Sequence, residues 1–169
     1  MKMFFNLVEK LFKNPTGANL MALNKIMTLG IPFNAPHGFK IKEISDEAVR
    51  ITVPNRKLNH NHLAGIHACA IATVGEYCAG TALLQCFGSS KYRLILSELN
   101  VKYTYQGRMD LIGSCSPKQV DKEAVKTALE SEGKYLQTLQ TFVKDISGNE
   151  VAVVTTTWQL KSWDKVKTK

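Results

Sequence analysis

The stretch from Asn59 to Gly88, NHNHLAGIHACAIATVGEYCAGTALLQCFG, constrains this chain more than any other. It opens polar, rich in Asn and His, then stays apolar or small on almost every side until Gly88. From about Gly65 to Phe87 it has no Pro and is dominated by Ala, Leu, Ile and Thr. That composition predicts one helix, with Gly88 as the residue just past its end. A helix that is apolar all round belongs inside a domain. Glu, Gln and Gly mark it too heavily for a membrane span, and no anchors flank it.

Glu76 does not fit such an environment. It is the only charged residue between Lys57 and Lys91. A buried carboxylate is costly unless it is paired, protonated or functional, which makes Glu76 a candidate catalytic group. The plainer alternative is a core Glu satisfied by backbone or Tyr hydroxyls. At ~100° per residue, Cys69, Ala72, Thr73 and Gly80 share its stripe. Those side chains are small, so the stripe leaves room for something else to approach.

At 169 residues and 44% hydrophobic, the expectation is one domain with a substantial core. The net charge of +8 suits an anionic partner: nucleic acid, a membrane surface or a phosphorylated small molecule. The cations are scattered, however. The densest groups are Lys91 with Arg93 and the tail Lys161, Lys165, Lys167 and Lys169, and a solubilising tail is the plain reading. No recognition-helix or RNA-binding signature supports nucleic acid. Cys69, Cys78, Cys86 and Cys115 form no CxxC pair, so they read as reduced core cysteines of a cytoplasmic protein. The first residues, MKMFFNLVEKLFK, lack the apolar run of a secretory signal. His60, His62 and His67 fall close together without a nearby acidic ligand, and no metal is expected there.

The rest of the chain reads as α+β. Residues 3–13 place Phe4, Leu7, Val8, Leu11 and Phe12 at helical spacing, and Asn14-Pro15 breaks them. A second helix over about 16–29 carries Leu20, Leu23, Ile26, Met27 and Leu29. These two helices, residues 1–32, are expected to pack on the main domain, although they could also cover a lipid-binding groove. Residues 33–37 read as a loop. Gly38–Ile44 and Ala48–Val53 read as a hairpin. Beyond the central helix, Tyr92–Tyr105 reads as a long strand with a bulge near Glu98, and Asp110–Ser116 as a short one. Residues 121–132 read as a polar helix ended by Gly133. Two long strands, Lys134–Asp145 and Val151–Leu160, are joined by a tight turn at Ser147-Gly148-Asn149. The implied architecture is a curved antiparallel sheet wrapped around one helix, over residues 33–163, with a basic tail at 164–169.

Asn61, Gly65-Ile66-His67-Ala68 and Glu76 together resemble the helix-start signature of hotdog-fold acyl-CoA thioesterases, including the phenylacetate-degradation and 4-hydroxybenzoyl-CoA types. In that signature an Asn or Gln precedes His-Gly-Gly, and an acidic residue lies nine positions after the His. Here Glu76 lies nine after His67, and Asn61 six before it. The segments IPFNAPHGFKI, MDLIGSCS and FVKDISGNEVAVVTTTWQLK resemble a less characterised bacterial group of hotdog thioesterases. The paired glycines of the signature are Ala68 and Cys69 in this sequence.

The resemblance implies a hotdog fold and hydrolysis of acyl-CoA or acyl-carrier thioesters in a homodimer or a dimer of dimers. It needs no cofactor beyond the coenzyme A of the substrate. Glu76 would be general base or nucleophile, and Asn61 would orient the carbonyl or the water. His67 would start the helix. The amide of Ala68, with that of Cys69, would hold the oxyanion. Gly65, Cys69, Thr73 and Gly80 would line the substrate, and Lys91, Arg93 and Arg108 are candidates for the CoA phosphates. Two alternatives differ in chemistry. The spacing from His62 to Glu76 is similar to that in hotdog β-hydroxyacyl dehydratases, though their Pro-Gly-rich helix start is missing. A non-catalytic acyl-CoA binder would keep the fold alone.

Overall fold

The alternation and the helical spacing above settle into ten elements in a computed structural model. It describes the backbone of residues 2–166 and the side chains of residues 7–166; Phe4, Lys167 and Lys169 have side chains outside that range. Helices α1 (Lys2–Lys13) and α2 (Gly17–Gly30) lead into a short 3₁₀ turn at Pro32–His37, where a loop was expected. Strands β1 (Lys40–Ile44) and β2 (Val49–Val53) form the hairpin. The central helix α3 spans Ala68–Phe87, followed by β3 (Tyr92–Tyr103), β4 (Leu111–Cys115), α4 (Lys122–Ser131), β5 (Lys134–Asp145) and β6 (Glu150–Ser162). The six strands form one sheet in the order β1-β2-β4-β5-β6-β3, antiparallel at every pairing. A sheet of this kind around a single long helix is the hotdog fold.

The helix lies on the sheet through its smallest residues. A Cβ at Gly75 would stand 2.4 Å from Val154, so glycine is what lets α3 and β6 approach. Gly113 of β4 makes the matching concession opposite Cys78, where an added Cβ would lie 3.0 Å from the sulfur. The buried Thr141 hydroxyl donates to the Gly75 carbonyl at 2.9 Å and pins the contact. Val74, Cys78, Ala79, Ala82 and Leu83 are buried against Ile51, Leu111, Val143 and Val154 in one continuous core. In β6 the inward residues are Ala152, Val154, Thr156, Trp158 and Leu160; Val153, Thr155 and Thr157 lie on the other face.

Three irregularities shape the strands. β3 carries its bulge between Leu96 and Glu98, where the alternation slips in sequence. Register also shifts between Ile41 and Glu43 and between Val143 and Lys144. The two free edges are treated differently. Along β1, the Asn24 side chain of α2 bonds both the amide and the carbonyl of Ile41, at 2.8 and 2.9 Å, replacing a strand neighbour. β3 has no such cover, and Ile95, Leu99 and Tyr103 are 45–46% exposed along it.

The first two helices share the core: Val8, Leu11, Leu23 and Met27 are buried in it, while Leu29 is exposed. Glu9 of α1 accepts hydrogen bonds from the amides of Ser89 and Ser90 at 3.1 and 3.0 Å, fixing the loop that leaves α3. No helix among the described residues is long and apolar enough to cross a membrane.

Candidate active site

The polar residues before α3 build its first turn. Asn59, 1% exposed, donates through Nδ2 to the carbonyls of His37 and Pro54 at 3.0 and 2.9 Å. Its own carbonyl accepts from the amide of His67 at 2.7 Å. Asn61 closes the turn over residues 61–65: its Oδ1 accepts from the amides of Leu63 and Gly65 at 2.9 and 3.2 Å. Ala64 takes a positive φ of 58° inside that turn, uncommon for a residue with a Cβ. Gly65 is buried against the Gln106–Gly107 turn, where an added Cβ would lie 3.1 Å from the Gln106 side chain. The amide of Ile66 then donates to the Gly107 carbonyl at 2.7 Å. These contacts hold residues 65–67 outside the helix, which starts three residues later than the composition suggests.

His67 is the N-cap of α3. Its Nδ1 accepts from the amide of Cys69 at 3.1 Å, which assigns the ring hydrogen to Nε2. The Cys69 amide is thereby occupied. The Ala68 amide has no hydrogen-bond partner among the described residues, and Ala68 and Cys69 are exposed. The hydroxyl of Tyr103, at the end of β3, donates to the Ala68 carbonyl at 2.9 Å, tying the bare strand to the helix start. Thr73 bonds back to the Cys69 carbonyl at 2.8 Å. An unpaired amide at the positive end of a 20-residue helix is a ready donor to an anion.

Glu76 lies two turns further on. It is half-buried, and no hydrogen bond or ion pair reaches it among the described residues. Burial raises its carboxyl to a pKa of about 7. The carboxylate sits at one end of a cavity of about 440 Å³. Tyr77, Gly80, Thr81 and Leu84 continue the wall along α3, Arg93 and Leu94 come from β3, and Trp158 from β6. Met27 of α2 and Ile31 just past its end line it too, so α2 both fills the core and covers a groove. Gly80 adds a specific fit, since a Cβ there would meet the Trp158 ring at 3.0 Å.

The site residues expected from sequence fall into three groups. Asn61, Gly65, His67, Ala68, Cys69 and Thr73 gather at the start of α3, with Arg108 near them beyond the Gly107 contact. Glu76 and Gly80 lie on the cavity. Lys91, just before β3, and Arg93, near its start, lie at the opposite end of α3, which is ~30 Å long, and Arg93 also lines the cavity. Ala68 and Glu76 are separated by ~12 Å along one straight helix, so a single chain does not bring both to one carbonyl. Thr81, Ser89, Tyr103 and Trp158 escaped the sequence reading. The i, i+4 and i+8 spacing of Glu76, Gly80 and Leu84 carried the signal for the cavity wall, but the small residues before Glu76 drew attention the other way.

Residues 20–160 match a family described as a domain of unknown function, DUF4442. The chain belongs to this family. No curated protein matches its sequence. Among solved structures, it is similar to a Pseudomonas aeruginosa protein of unknown function described as a probable thioesterase. That likeness has 23% identity and a TM-score of 0.74 over 82% of this chain and 93% of that one. It is also similar to a Haemophilus influenzae thioesterase, at 12% identity and a TM-score of 0.70 over 87% of this chain and 93% of the other. A mutant thioesterase from Staphylococcus aureus aligns at 14% identity and a TM-score of 0.64, over 77% of this chain and 98% of its own. At these identities the likeness establishes the fold of this DUF4442 member, and the chemistry rests on its own residues.

Proposed function

We propose that this protein hydrolyses acyl thioesters to a free acid and a thiol, in a site shared by two copies of the chain. The observation that carries the proposal is Glu76: a half-buried carboxylate, unpaired among the described residues and poised near pH 7, in the wall of a mostly apolar cavity. Thioesterases among the solved structures of the same fold support it.

In this reading the acyl chain enters the cavity and the thioester carbonyl stays beside Glu76. The carboxylate takes a proton from water as the water oxygen bonds to the carbonyl carbon. The resulting oxyanion accepts from the Ala68 amide of the second chain, at that helix's positive end. The tetrahedral intermediate collapses, the C–S bond breaks, and the proton on Glu76 goes to the departing thiolate. Two α3 helices running antiparallel about a two-fold axis bring one chain's Glu76 to the other's Ala68. Asn61 keeps only its Nδ2 free for substrate, because Oδ1 is taken by its own turn. His67 acts on the helix start rather than on the carbonyl. A chain of charge +8 suits an anionic carrier, coenzyme A or an acyl carrier protein. Lys91 and Arg108, both exposed, are the phosphate candidates at the two ends of the site.

The test is thiol release from a panel of short, long and aromatic acyl-CoAs. Wild-type protein should release thiol with a rate that rises with pH through about 7 and then levels, as Glu76 ionises. Glu76→Gln keeps the shape and removes the basic oxygen, and should slow turnover by about 10²–10⁴-fold. A Gln variant as fast as wild type would make Glu76 a structural carboxylate and end this reading. Enoyl absorbance changes without thiol release would favour a dehydratase.

A further inference from the structure

The cavity beside Glu76 has a property that hydrolysis alone does not require. Its wall is mostly apolar, yet Thr81 Oγ1, Ser89 Oγ, Arg93 Nε and Trp158 Nε1 all belong to it, and all four are buried without a hydrogen-bond partner among the described residues. Thr81, Ser89 and Trp158 are 1%, 8% and 7% exposed. Six buried side-chain atoms lack a partner among the described residues, and four of them belong to residues that line this one cavity. Such an atom has lost its hydration and gained nothing in return, so native structures keep few, and several in one wall call for a ligand that satisfies them.

The atoms specify what that ligand carries. The indole and guanidinium N–H groups only donate, whereas the two hydroxyls donate or accept. The common complement is an acceptor oxygen. The surrounding Met27, Ile31 and Leu94 require an apolar body leading to it. Position follows from the helix: Thr81 is five residues past Glu76, ~7–8 Å along the axis, and Ser89 lies beyond the helix end. The loop holding Ser89 is fixed from both sides, by Glu9 on its amide and by the Trp163 indole on its carbonyl at 3.2 Å, while its hydroxyl has no partner among the described residues.

We propose that the cavity takes an acyl group bearing an acceptor oxygen, as hydroxyl or carboxylate, several carbons from the thioester carbonyl, with Thr81, Ser89 and Arg93 as the groups that recognise it. The position of the carbonyl beside Glu76 rests on the thioesterase reading; the demand for an oxygen does not. Gln137 stands opposite Trp158 across β5 and β6, so the indole has a protein acceptor close by and the test is built on the hydroxyls.

The chain has two tryptophans, Trp158 and Trp163, and both line the cavity, so intrinsic fluorescence reports its occupancy. The Glu76→Gln protein is titrated with three medium-chain acyl-CoAs of equal length: plain, hydroxylated at the far end, and carboxylated there. The oxygenated chains should bind about tenfold more tightly than the plain one. Thr81→Val with Ser89→Ala should reduce that preference to about twofold or less and leave the plain chain bound at least as well. Ser89→Ala alone, in a loop, gives the intermediate preference if the double variant does not fold. A carboxylated chain that binds tighter than the hydroxylated one assigns the oxygen to Arg93, and the reverse order assigns it to the hydroxyls. Equal binding of plain and oxygenated chains, a preference for the hydroxylated chain that survives both substitutions, or no fluorescence change with any of the three overturns the proposal. Thiol release by wild-type protein is followed with the same compounds. Hydrolysis of all three without preference sinks the oxygen requirement alone, and preference without any hydrolysis sinks the thioesterase reading alone.

Discussion

Ionised Glu76 loses hydration that no neighbouring donor replaces, and its carboxyl titrates near 7 in place of the ordinary value of 4.5. A group whose pKa is raised by folding stabilises the fold while it is protonated in both states. That contribution is full below about 4.5 and is lost as the pH rises through about 7. Above that range the charge opposes folding. Glu76→Gln removes the penalty, so the variant should be more stable than wild type at pH 8, by on the order of 2–3 kcal/mol. The gap should close as the pH falls towards 4.5. Chemical denaturation across that range measures it. An equal gap at both ends would mean that Glu76 has a partner in solution. A residue that costs stability at neutral pH and speeds hydrolysis there is the pattern expected of a working carboxylate.

The contact between α3 and β6 is the element on which the site depends, because it sets where Glu76 lies over the sheet. Gly75 is the closest point. Gly75→Ala should gain about 1 kcal/mol of helix propensity and lose more to overpacking against Val154, for a net destabilisation of about 1–3 kcal/mol. An urea melt gives the sign directly, and a stabilised variant would show that β6 yields easily. Gly80→Ala meets only the edge of the Trp158 ring. It should cost less stability and change tryptophan fluorescence, since the ring must shift within the cavity wall. The two glycines therefore separate packing from cavity shape along one helix.

At the scale of the molecule, the open edge of β3 and the free amide of Ala68 lie on the same side, joined by the Tyr103 hydroxyl. A 12-residue edge with Ile95, Leu99 and Tyr103 half-exposed invites pairing, and proteins commonly blunt such edges when they are meant to stay alone. The β1 edge is protected in that way by Asn24, and the β3 edge is not. In the proposed dimer, a second copy pairing there would cover the edge and complete the site. Leu99→Lys, at an exposed position, should leave the fold intact and shift light scattering at micromolar concentration from dimer to monomer. Thiol release should fall about as far as in Glu76→Gln. A monomeric variant with full activity would place both halves of the site in one chain, against the ~12 Å offset along α3.

The hairpin at β1 and β2, the bulge after Leu96 and the apolar run of α3 were legible in the sequence, because each is a local pattern; the inward face of β5 was not, since its apolar Leu136 and Phe142 are exposed and its polar Gln137, Thr141 and Asp145 are buried. So was the oddity of Glu76, since one charge in a long uncharged run needs no coordinates to be noticed. The helix start was not legible. Residues 65–67 have helical composition, but Asn59 and the turn closed by Asn61, just before them, and Gly107, from beyond β3, take their backbone groups. That His67 starts the helix was legible, whereas the capture of the Cys69 amide by its ring is a matter of side-chain geometry. The cavity depended on tertiary structure most of all. It is made by α2, α3, β3 and β6 together, and its polar atoms are notable only because nothing near them answers. Periodicity tells a side chain which way to face; what it meets there is decided by the packing of elements far apart in sequence.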